Sequence, residues 1–165
     1  MTAAAKTFSD LLGRLDLPMF VVTAVADDGE RSGCLIGFAT QCSIRPARFL
    51  ACISVKNHTA GVIARASHAA VHVIGDDQRD LAELFGGETG DDVDKFERCS
   101  WSRGPEGVPV LDGVDGWFVG RIVASHDLGD HTGYVLQPIE AAIEDRDIDE
   151  LGFQQARHID PGHEA

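Results

Sequence analysis

Short apolar, β-branched stretches bounded by Gly, Pro and Asp run through most of this chain, a pattern that predicts strands. Residues 19–26 (MFVVTAVA), 48–55 (RFLACISV) and 70–74 (AVHVI) are the clearest of these. Two more, 117–125 and 132–139, flank the polar corner His126-Asp127-Leu128-Gly129-Asp130-His131. The turn Asp27-Asp28-Gly29-Glu30 leads into residues 31–44, which predict one long or bent strand with kinks at Gly33 and Gly37, and Pro46 closes it. Helical spacing is confined to three places. Residues 7–16 carry Phe8, Leu11, Leu12 and Leu15 on one stripe, ended by Pro18. Lys56-Asn57-His58-Thr59 opens a short helix over 60–67, and residues 76–85 carry Leu81, Leu84 and Phe85 on an inner face. The Gly-, Pro- and charge-rich residues 86–109 predict a loop anchored by Phe96 and Trp101, and residues 147–165 a polar tail. Five or six strands, a few short helices and no βαβ alternation predict a mainly β, antiparallel barrel with helices at its rim, in a single domain over 1–165.

Composition narrows the class. A chain of 165 residues with 44% apolar and 25% charged positions is long enough for one sizeable core. With 14 Lys and Arg against 27 Asp and Glu, the net charge is −13. That balance excludes the basic footprint which nucleic acid or an anionic membrane requires. The longest apolar-leaning run, residues 18–26, is far short of a membrane span, and residues 1–16 lack the apolar core of a secretory signal. Cys34, Cys42, Cys52 and Cys99 form no C-x-x-C pair, so free thiols in a reducing cytoplasm are expected.

Two groups of residues carry candidate chemistry. The corner at 126–131 mounts imidazoles and carboxylates on a loop between strands, where binding groups commonly sit. Its bland alternative is a hairpin turn facing water. A metal set of His126, Asp127, Asp130 and His131 lacks a third histidine nearby, and no metal is expected. The second group is Ser54, Lys56, Asn57 and Thr59, clustered at a helix start where unpaired N–H groups and the dipole favour a phosphate. Simple capping by Asn57, with Thr59 in the first turn, is the alternative. His58, His68 and His72 are expected to be surface or satisfied strand residues.

Taken in order, MFVVTAVA, DDGE, GCLIGFATQCSIRPARFLACISVKNHT, AVHVIGDDQRDLAELF and the Gly-Asp-His at 129–131 resemble the flavin reductase family, the reductase components of two-component monooxygenases. The resemblance implies an antiparallel split β-barrel of Greek-key type that binds FMN or FAD and uses NADH or NADPH. It assigns Phe38, Ala39, Thr40, Gln41, Cys42 and Ser43 to the flavin ring, and Ser54, Lys56, Asn57 and Thr59 to the flavin phosphate. Gly129, Asp130 and His131 fall to the nicotinamide nucleotide. It also implies a homodimer and a separate oxygenase partner. Hydride transfer between two cofactors needs positioning rather than a side-chain acid or base, so no catalytic residue is expected. Leu35, Ile36, Gly37 and Phe38 stand where the family usually has small hydroxyl residues, which leaves FMN, FAD and a deazaflavin open. A non-catalytic flavin- or haem-binding protein and a deazaflavin-dependent oxidoreductase of the same fold are the rival readings.

Overall fold

The computed structural model describes residues 1–144 and 147–162. Its frame is a seven-stranded antiparallel sheet in the order β2-β1-β5-β8-β9-β4-β3. The strands are β1 (Phe20–Val25), β2 (Arg31–Ile36), β3 (Ala39–Ile44), β4 (Ala47–Ser54), β5 (His68–Val73), β8 (Gly116–Asp127) and β9 (His131–Ile143). A second, two-stranded sheet pairs β6 (Trp101–Arg103) with β7 (Pro109–Leu111). The helices are α1 (Ala3–Leu12), α2 (His58–Ile63), α3 (Arg79–Gly87) and α4 (Phe153–Ala156).

One feature of the order sets the shape. Strands β2 and β3 are the two opposite edges of the large sheet, yet only Gly37 and Phe38 separate them in the chain. The three Cα steps from Ile36 to Ala39 span at most about 11 Å, so the sheet must curl to bring its edges close. The edges do not zip together as a full ladder. The Phe38 carbonyl, accepting from the Cys52 amide (2.9 Å), only continues the β3–β4 ladder, and β2 and β3 do not pair with each other. That is the split in the barrel. It also explains why the predicted long strand over 31–44 is two strands: its halves pair with different partners, β1 and β4.

The barrel interior is filled by Val22, Ala24, Ile53, Val71 and Leu136, closed by Val62 and Ile63 of α2. A second cluster, with Phe85, Ile74, Leu111 and Leu151, packs α3 and the C-terminal segment against the outside of the barrel. Its strap is Lys95, which is buried and donates from Nζ to the Gly33 and Phe85 carbonyls (3.1 Å each). Burial pulls the Lys95 pKa down, while the two carbonyls and the Phe85 ring beneath it supply the ammonium with partners.

Three further expectations differ from the structure. The first helix spans Ala3–Leu12, capped by Thr2, and its Phe8 and Leu11 lie exposed rather than against the core. Residues 86–109 contain strand β6, whose Trp101 packs on Phe96 edge to face at 5.6 Å. The C-terminal segment is not solvated throughout: Leu151 is fully buried, Pro18 bridges Gly152, and Gly75 bridges Glu150. Apolar residues too sparse for a periodic signal were enough to dock it.

Candidate functional site

A cavity of about 360 Å³ lies at the seam where β2 and β3 part. Ile36, Gly37 and Phe38 form its rim, and Cys52 and Ser54 of β4 face it together because side chains two apart share a strand face. The backbone runs close here, since a Cβ at Gly37 would meet the Met19 sulfur at 3.0 Å. Asn57 at the start of α2 and His131 at the start of β9 complete the inner wall. The outer wall comes from Phe153 and Arg157, on and just after α4. Cys34 also lines the cavity, and burial pushes its thiol up to about 11, so it stays protonated at neutral pH.

The corner that holds His131 is a tight three-residue turn. Strand β8 runs two residues further than the sequence predicts, to Asp127, whose carboxylate accepts from the Gly129 amide at 2.9 Å. The Leu128 amide donates to the His131 carbonyl (2.9 Å), and Gly129 takes φ +106°, which a side chain would resist. Across the ladder Ser54 pairs with His131, and the Val55 amide donates to the Asp130 carbonyl at 3.0 Å. These bonds tie the turn to the end of β4. His131 Nδ1 lies 2.7 Å from Asp130 Oδ1, and that hydrogen bond holds the Asp130 carboxyl below the usual carboxylate range. The His131 ring tilts over Phe38 with centroids 5.1 Å apart.

At the start of α2 the Asn57 side chain accepts from the Thr59 amide at 2.9 Å, so the predicted cap is present. Thr59 itself is fully buried, and its hydroxyl shares a hydrogen bond with Ser32 (2.9 Å). That contact holds α2 against β2, and Thr59 is not among the residues that line the cavity.

Phe38, Ser54, Asn57 and His131, from three separate places in the chain, thus meet at one cavity. Thr40, Gln41 and Cys42 are exposed on edge strand β3, with Ala39 and Ser43 half-buried there, and none of the five lines that cavity. Lys56, Gly129 and Asp130 lie beside it on the adjoining turns. Sequence reasoning missed Phe153 and Arg157. Their four-residue spacing places them near one helix face, a signal too short to stand out in a polar tail. His126 and Asp127 point along exposed strand, and among the described residues no group of three metal-competent side chains converges.

An antiparallel barrel split at one seam, with a helix start and a Gly-Asp-His turn facing the gap, defines a flavin-reductase-type domain. The flavin reductase like domain family matches residues 12–161, and the chain belongs to that family. FMN reductase (NADH) SmoA from Agrobacterium fabrum (strain C58 / ATCC 33970) is 32% identical over 145 residues, which is 87% of this chain and 79% of that protein. The reductase component of the flavin-dependent trigonelline monooxygenase from Acinetobacter baylyi is 29% identical over 76% of this chain, which spans only 40% of that relative. Among solved structures, the flavin reductase domain protein from Arthrobacter sp. FB24 superposes with a TM-score of 0.80 and 26% identity, covering 90% of this chain and 89% of that one.

Proposed function

We propose that this protein is an NAD(P)H-dependent flavin reductase that passes reduced FMN or FAD to a separate oxygenase component. The supporting observation is the convergence of Phe38, Ser54, Asn57 and His131 on the seam cavity. A bound flavin supplies the hydride acceptor, and the protein's own groups do the positioning. In this reading the exposed edge of β3, Ala39 to Ser43, meets the polar edge of the flavin ring with backbone groups, and Phe38 flanks the ring. Ser54, Lys56 and Asn57 meet the flavin phosphate, and Thr59 serves that contact by anchoring α2 through Ser32. Gly129, Asp130 and His131 meet the nicotinamide nucleotide. With Nδ1 engaged by Asp130, Nε2 is the ring nitrogen that addresses it.

The same reading includes a homodimer. Phe38, Ile44, Val55 and Leu128 are between 53% and 77% exposed around the seam, more apolar surface than a lone subunit presents comfortably beside a site. A second copy covering them encloses the flavin between subunits. Among the described residues no helix is long and apolar enough to cross a membrane, and the free cysteines fit a reducing cytoplasm.

The deciding assay is anaerobic. The protein, FMN or FAD, and NADH or NADPH are mixed, and loss of flavin absorbance is followed. Catalysed bleaching supports the reading, and a rate equal to that without protein removes it.

A further inference from the structure

The seam cavity differs in charge from the rest of this acidic molecule. The chain carries 27 carboxylate side chains against 14 lysines and arginines, and the other three sizeable cavities each have Asp or Glu in their walls. Among the described residues that line the seam cavity there is no carboxylate, and Arg157 is its one lysine or arginine. A wall free of negative charge in a chain of net charge −13 is an arrangement for an anion. Arg157 follows α4 directly and lines the same cavity as Ser54 and Asn57. Its guanidinium is exposed, and one nitrogen donates to Gln154 Oε1 at 3.1 Å. The planar guanidinium fork is a donor set suited to phosphate oxygens. Phe153, on the same turn, adds an apolar surface beside the cation.

We infer that Arg157 is a specificity-determining residue which binds the phosphates of the reduced nicotinamide dinucleotide. The inference rests on the flavin reductase reading and adds to it a wall from the C-terminal segment, far in sequence from the Gly-Asp-His turn. The dinucleotide is then held at two points: its nicotinamide end at His131, its phosphates at Arg157. Nothing is asked of Arg157 in the hydride step.

The test compares wild type, Arg157→Ala and Arg157→Lys with NADH and with 1-benzyl-1,4-dihydronicotinamide, a donor with the same reactive ring and no phosphate. Arg157→Ala is expected to raise the KM for NADH about tenfold, as for loss of one charge-assisted contact, with kcat retained. Arg157→Lys recovers part of the loss, and the KM for the phosphate-free donor shifts less than twofold. The thermal midpoint stays within a degree or two, since the side chain is exposed. An unchanged KM for NADH, or an equal rise with both donors, overturns the inference. So does a weaker affinity for FMN with no change for riboflavin, which would give Arg157 to the flavin phosphate instead. Absence of wild-type turnover with every donor defeats the flavin reductase reading, and the inference with it. Turnover with an indifferent Arg157 defeats the inference alone.

Discussion

His72 makes folding stability depend on pH below neutrality. The ring is fully buried in β5 between β1 and β7. The Leu111 amide, an obligate donor, points at Nε2 (3.0 Å), so Nε2 carries the lone pair. Nδ1 therefore carries the proton and donates to the Val21 carbonyl at 2.9 Å. A second proton would have to enter against the Leu111 N–H, in a site stripped of water. Burial accordingly pulls the His72 pKa from 6.5 down to about 4, the Val21 carbonyl opposing it only in part. Above pH 6.5 the neutral ring costs nothing and its stabilisation is complete. As pH falls from 6.5 to about 4, the unfolded chain takes up a proton that the native state refuses, and stability declines. At about 1.4 kcal/mol per unit, the full gap is roughly 3 kcal/mol, a large share of a typical domain's 5–15. Between pH 6.5 and 4.5 the expected loss is about 2 kcal/mol. Asp28, Asp91 and Asp130, whose pKa values are lowered from 3.8, lose their contributions only below that window. Urea midpoints of flavin-free protein at fixed concentration, at pH 7.5, 6.5, 5.5 and 4.5, measure the decline. His72→Gln keeps a polar side chain that does not titrate, and its profile should be flatter by about 2 kcal/mol over the same range. Parallel profiles for the two proteins would refute the reasoning.

Three further outcomes follow from the site. His131→Ala should raise the KM for NADH or NADPH and leave flavin affinity nearly unchanged, and the steady-state and flavin-titration data together check it. FMN should bind better than riboflavin, and Lys56→Ala should narrow that gap by about 1–3 kcal/mol, read from fluorescence titrations. Light scattering at micromolar concentration should give twice 17.7 kDa, and a monomer mass with flavin still bound would sink the shared site.

How much was legible in the chain depended on the range of the interaction. The apolar runs of β1, β4 and β5, the Asp-Asp-Gly-Glu turn and the Asn57 cap were readable because each is decided by neighbours a few residues apart. So was the turn at Gly129, where Asp127 and a positive φ close a hairpin locally. The resemblance to the flavin reductase family rested on the order of such local signals, and the family match over residues 12–161 bears it out. Thr59 shows the limit. A threonine at a helix start reads equally as a ligand for phosphate or as structure, and only the approach of Ser32 from β2 turned its hydroxyl inward. The division of residues 31–44 into opposite sheet edges likewise came from curling, because a strand's period does not say which neighbour it pairs with. The docking of Leu151, and with it the placing of Phe153 and Arg157 on the cavity wall, was decided by burial against α3 and β1, contacts that lie more than sixty residues away in the chain. By itself, the sequence determined the strands β1, β4 and β5, the turn and the family. The tertiary structure decided which side chains share a cavity, because closing a sheet brings together residues that no local pattern relates.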